Sequence, residues 1–78
     1  MEQKSVYDMD IGEKGVISDL LNFDIKTRHR FLDLGIAPQS KITLLNRVNF
    51  KHLYLIEVDD VEFCIRKVDA KNVIVTIE

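Results

Sequence analysis

Apolar and polar positions change their rhythm near residue 40. From Lys41 onward they repeat with a period close to two, the spacing of a half-buried strand. "KITLLNRV" (41–48) sets Ile42, Leu44 and Asn46 on one face and Thr43, Leu45 and Arg47 on the other. "HLYLIEV" (52–58) is dense in Leu, Ile, Tyr and Val, and "VEFCIRK" (61–67) turns Val61, Phe63 and Ile65 inward and Glu62, Cys64 and Arg66 outward. Between these two runs Asp59-Asp60 predicts a two-residue hairpin turn. "VDAKN" (68–72) is a short polar connection with room for one helical turn around Ala70, and "VIVTI" (73–77) predicts a last strand.

Before residue 40 the pattern is mixed. "GEKG" (12–15) predicts a turn, and "VISDLL" from Val16 predicts a first strand that opens on β-branched residues. The next stretch, "DIKTRHRFLDLG", predicts a helix near residues 25–34. Asp24 is its N-cap, Gly35 takes the left-handed position after its end, and Pro38 bars continuation. Phe31, Leu32 and Leu34 are expected in the core, with Ile36 folding back onto the last turn, while Lys26, Arg28, His29 and Arg30 stay outside. Residues 1–10 read as a loose polar lead-in, with Met9 and Ile11 as anchors, which leaves 11–78 as a single domain. One strand, a short helix and four strands at roughly ten-residue spacing predict an all-β fold, a small SH3-like barrel of about five strands.

Composition narrows the picture. Seventy-eight residues make one domain with a thin core. At 46% hydrophobic residues the chain has the apolar surface needed to offset ordering entropy. Eleven Lys and Arg against thirteen Asp and Glu leave a net charge of -2, which argues against a dedicated nucleic-acid binder. Cys64 is the only cysteine, so no intramolecular disulfide forms, and a reducing cytoplasm is the expected compartment. No apolar run approaches about 18 residues, so insertion into a membrane is not expected.

Candidate chemistry is sparse. His29, His52 and Cys64 do not stand at zinc-ligand spacing, and no metal or cofactor is expected. Cys64 reads as a small space-filler, and Asp59, Asp60 and Glu62 as a solvated turn. With no serine elbow, phosphate-binding glycine loop or His-Glu-x-x-His pattern, no catalytic residue is assigned and an enzyme is not expected. An RNA-binding barrel stays open as an alternative, with Lys26, Arg28, Arg30, Arg47 and Lys51 as phosphate contacts and Phe50 or Tyr54 as stacking platforms.

Three stretches together resemble the ferrous iron transport protein A (FeoA) family: "IGEKGVISDL" (11–20), "RHRFLDLGIAPQSKITLL" (28–45) and "VEFCIRKVDAKNVIV" (61–75). The family's features fall on Arg30, Phe31, Leu34, Gly35, Ile36 and Pro38, then on Ile65, Arg66, Ala70 and Ile74. The chain departs from the pattern at Gln39-Ser40, where a glycine usually follows the proline, and in "NRVNFKHLYLIEVDD", which lacks the usual Gly- and Pro-containing loop. The resemblance implies an SH3-like fold, also similar to the C-terminal domains of iron- and manganese-responsive repressors. It further implies a cytosolic accessory of ferrous iron uptake that contacts the cytoplasmic GTP-binding region of a FeoB-type transporter without catalysis. On this reading Lys26, Arg28, His29 and Arg30 form a partner-binding face, or else a face that keeps the domain soluble. A freestanding domain that modulates a metal-responsive repressor is the alternative. Exposed strand edges leave homo-oligomers open.

Overall fold

The computed structural model describes residues 2–20, 23–48, 50 and 52–78. Among these residues six strands form one antiparallel sheet: β1 (Gln3–Ser5), β2 (Lys14–Leu20), β3 (Lys41–Val48), β4 (Leu53–Val58), β5 (Val61–Arg66) and β6 (Val73–Ile77). Their order across the sheet is β1-β6-β2-β3-β4-β5. Helix α1 (Ile25–Asp33) links β2 to β3, and the single-turn α2 (Lys67–Ala70) links β5 to β6. The mostly-β fold and the single longer helix agree with the sequence pattern, with one more strand than the five expected.

That strand comes from the N-terminal segment. The loose lead-in expected over 1–10 is instead part of the fold: Gln3, Lys4 and Ser5 pair with Thr76, Val75 and Ile74. A 3-10 turn at Val6–Asp8 follows and places both Val6 and Met9 at 0% exposure in the core. Polar residues in β1 hid the strand, because a short edge strand has little buried face to display as a pattern. Ile11, expected as a second anchor, stays exposed.

Two bulges decide which side chains face inward. In β2, Ile17 pairs with Val75 and Asp19 with Ile74, so Ser18 is the extra residue. The shift lets Ile17 and Leu20, three positions apart, both reach the core. In β3, Leu44 pairs with Ile56 and Asn46 with Leu55, so Leu45 is the extra residue. Beyond it the two faces exchange. Asn46, expected on the side of Ile42 and Leu44, is exposed, and Arg47 comes opposite the buried Tyr54. From there the Arg47 guanidinium donates to the Met9 carbonyl and ties β3 to the N-terminal segment.

The turns follow their side chains. Val58 pairs with Val61 around Asp59-Asp60, whose φ values of 50° and 72° are those of a type I′ hairpin. At 37–40 the Ser40 N–H donates to the Ala37 carbonyl (3.0 Å), with Pro38 second and Gln39 third at φ 81°, a type II turn. Gln39 thus occupies the conformation a glycine would serve. The turn expected over Gly12–Gly15 sits at 10–13, closed by Glu13 N–H to the Asp10 carbonyl at 3.0 Å. Gly15 lies inside β2, where a Cβ would stand 2.4 Å from the Thr76 carbonyl oxygen.

Candidate interaction surface

Helix α1 begins as its sequence dictates. The Asp24 side chain accepts the Thr27 N–H at 2.7 Å, and this bond holds its carboxyl below the usual carboxylate range. The helix ends in a Schellman motif: Ile36 N–H donates to the Phe31 carbonyl (2.9 Å) and Gly35 N–H to that of Leu32 (3.0 Å). Gly35 has φ 90° and Ile36 is fully buried, as expected from the sequence. Phe31 is the helix's one buried residue and meets Phe23 edge-on at 4.8 Å between ring centroids.

Leu32 and Leu34 do not join it. They are 42% and 49% exposed, which corrects the expectation that both are core. Leu32 lies about 100° round the helix from Phe31, and Leu34, on the same side as Phe31, is the C-cap residue and faces the open cleft toward β5. Of the other family positions, Ile65 and Ala70 are buried, Ala70 completely, and Pro38 lies in the turn that feeds β3.

The four basic positions are all exposed, but they do not form one free patch. Arg28 and Arg30 flank the buried stripe on opposite sides. Arg28 Nη2 donates to the Leu20 carbonyl at 3.0 Å and pins the helix to the end of β2. Arg30 leans the other way, over the ring of Phe31 (5.6 Å to its centroid), with Nη2 3.9 Å from Asp69 Oδ2 on α2. Asp69, 8% exposed, also faces Arg66 Nε at 3.8 Å. No side-chain bond of Lys26 or His29 is found among the described residues. Sequence spacing alone did not separate these two from the tethered arginines, because the tethers lie on β2 and α2.

Between α1 and β5 lies a cleft of about 230 Å³. Its walls are apolar (Phe31, Leu34, Phe63) and its rim carries Arg30, Arg66 and Asp69. A second, polar depression of about 390 Å³ sits at the opposite end of the sheet, where Lys14 and Lys41 meet Glu57, Asp59, Asp60 and Glu78. No group of three or more His, Cys, Asp or Glu stands ready for a metal ion among the described residues. No helix there is long and apolar enough to cross a membrane. The nucleic-acid reading loses two of its supports: Tyr54 is 1% exposed and cannot stack on a base, and Arg47 is engaged at Met9. Lys51 lies outside the described residues.

The model of the FeoA domain matches residues 4–77. The chain belongs to the FeoA family. Three solved structures show the same architecture. An iron uptake regulatory protein (FeoA) is 26% identical, with complete coverage of both chains and a TM-score of 0.84. The FeoA of Stenotrophomonas maltophilia, an SH3-domain protein complexed with zinc, is 14% identical over 95% of this chain and 88% of its own (TM-score 0.73). A manganese-dependent transcriptional repressor is 17% identical over this whole chain, which spans 42% of the repressor, with a TM-score of 0.90. No curated protein sequence matches significantly. The FeoA match begins at residue 4 and so takes in Lys4 and Ser5 of β1 and the buried Val6 and Met9.

Proposed function

We propose that this chain is a cytosolic accessory of ferrous iron uptake that acts by contact with the cytoplasmic GTP-binding region of a FeoB-type transporter, without catalysis of its own. Membership of the FeoA family over residues 4–77 is the observation that carries the reading. The similar FeoA structures support it: one is described as an iron uptake regulatory protein, another as a candidate ferrous iron transport activating factor. The docking face is the outer side of α1. Lys26 and His29 supply free contacts, while Arg28 and Arg30 contribute from tethered positions.

A titration of this chain against the cytoplasmic domain of its own organism's transporter tests the proposal, with and without a GTP analogue and at two salt concentrations. Saturable binding that weakens with salt is expected. A Lys26→Ala/His29→Ala double variant is expected to lose at least about fivefold in affinity, the size of effect ordinary for rim charges. Folded protein that shows no binding in either nucleotide state counts against the accessory role.

The repressor match favours a second reading, a domain that modulates a metal-responsive repressor. Titration against that organism's metalloregulators separates the two, since each reading expects binding to one target only.

A further inference from the structure

The sheet has two edges. β1 is three residues long and its Lys4 is held by Glu13 at 3.0 Å, so that edge is short and blunted. β5 is different: six residues, no proline, no bulge in its pairing with β4, and beside it lie the cleft that separates it from α1 and, at its Arg66 end, α2.

The direction of its free backbone groups follows from the pairing. Lys67 N–H donates to the His52 carbonyl at 2.9 Å, and hydrogen-bonded positions alternate along an antiparallel pair. Ile65 and Phe63 therefore bond to β4. The N–H and C=O of Glu62, Cys64 and Arg66 point out of the sheet edge.

The sequence of that edge is self-complementary. We propose that two copies of this chain associate through antiparallel β5–β5 pairing, with the two-fold axis at Cys64. In this register Glu62 of each copy stands opposite Arg66 of the other, twice over, on the exposed face. Phe63 stands opposite Ile65 twice on the inner face, and the two Cys64 residues meet at the axis. Registers centred on Glu62 or Arg66 set like charges face to face. A register centred on Phe63 sets Arg66 opposite Asp60 of the turn but leaves Glu62 opposite Cys64, and one centred on Ile65 leaves Arg66 opposite Cys64 and Glu62 opposite Val68. Only the Cys64 register satisfies both charges, so the occupant of this edge is a second copy, argued from charge complementarity. Arg66 has the freedom to serve it: its side chain is 68% exposed and its contact with Asp69 is long, 3.8 Å.

The test is sedimentation equilibrium of the full chain under reducing conditions over a wide concentration range, paired with amide exchange read by NMR. A reversible monomer–dimer equilibrium is expected. Raising the concentration slows exchange at Glu62, Cys64 and Arg66 and leaves Phe63 and Ile65, already bonded to β4, unchanged. Glu62→Arg and Arg66→Glu, each checked for native fold, are expected to weaken self-association by about tenfold or more, since each sets two like-charge pairs across the axis. An equimolar mixture of the two variants is expected to form a heterodimer, because every pair is then opposite in charge again. A wild-type chain that stays monomeric throughout, a dimer indifferent to either swap, a mixture that does not associate, or protection appearing on β1 instead would each overturn the proposal.

Discussion

Gln39 and Gly35 sit four residues apart, both with positive φ, and only one of them has the side chain that conformation prefers. At φ 81° Gln39 carries the crowding of its own Cβ against the backbone, a cost of about 1–2 kcal/mol for a non-glycine residue. Gln39→Gly relieves it at some cost in unfolded-chain entropy, so a net gain of about 0.5–1 kcal/mol is expected in chemical denaturation. Gly35→Ala runs the other way. A Cβ there meets nothing within 4 Å, so only backbone strain is added, about 1 kcal/mol. Gly15→Ala is expected to be the most damaging of the three. Its Cβ would lie 2.4 Å from a backbone oxygen of β6 and 2.5 Å from Val75 Cγ1, so the strands themselves must move. Denaturant midpoints that rank Gly35→Ala below Gly15→Ala in stability would contradict this account. The helix stop at Gly35 was readable from the sequence because its hydrogen bonds are local. The close approach of β6 to Gly15 was not, because the neighbour lies some sixty residues away.

Between elements, side chains do the joining, and two carboxylates make part of that joining pH-dependent. Glu13 accepts the Asp10 N–H (2.9 Å) and pairs with Lys4 (3.0 Å), linking the 10–13 turn to β1. Its pKa lies below the ordinary value, chiefly through the Asp10 bond and then through Lys4. Asp24 is lowered likewise by the Thr27 N–H at the start of α1. A carboxyl lowered on folding contributes stability that is fully present above its unfolded pKa and is lost as pH falls through the folded one. Stability measured from neutral to strongly acid pH is therefore expected to fall at the acid end. Asp24→Ala should close its gap with the wild-type chain there while remaining less stable at neutral pH; a gap independent of pH would remove Asp24 from this role. The bulge at Leu45 also joins elements, because it turns Arg47 toward Met9. Alternation in "KITLLNRV" suggested the opposite face for residues 46 and 47. A period-of-two reading has no means of registering one inserted residue, and the reversal shows only once β3 is paired with β4.

For the molecule as a whole, the N-terminal ten residues are the portion whose role changed most. Val6 and Met9 are both at 0% exposure in a domain whose size permits only a thin core. Met9→Ala is expected to cost about 2–4 kcal/mol, a large share of what a chain of this length possesses. Thermal and denaturant unfolding would show it, and a loss below about 0.5 kcal/mol would place Met9 outside the core after all. The same view explains why the basic face of α1 is smaller than four basic residues suggest. Arg28 and Arg30 double as struts to Leu20 and Asp69, which leaves Lys26 and His29 without a side-chain bond among the described residues.

By itself the sequence determined what short-range forces control: the helix with its Asp24 cap and Gly35 stop, the Asp59-Asp60 hairpin, the helical turn at Ala70 and the strands from Lys41 onward. Each rests on contacts within a few residues, or on a burial period visible in one dimension. Tertiary structure alone decided the sixth strand, the two bulges, the burial of Val6 and Met9, the exposure of Leu32 and Leu34, and the tethering of the helix arginines. The reason is common to all of them. Their energetics depend on groups brought together from distant parts of the chain, and a sheet ordered β1-β6-β2-β3-β4-β5 places the first and last strands side by side.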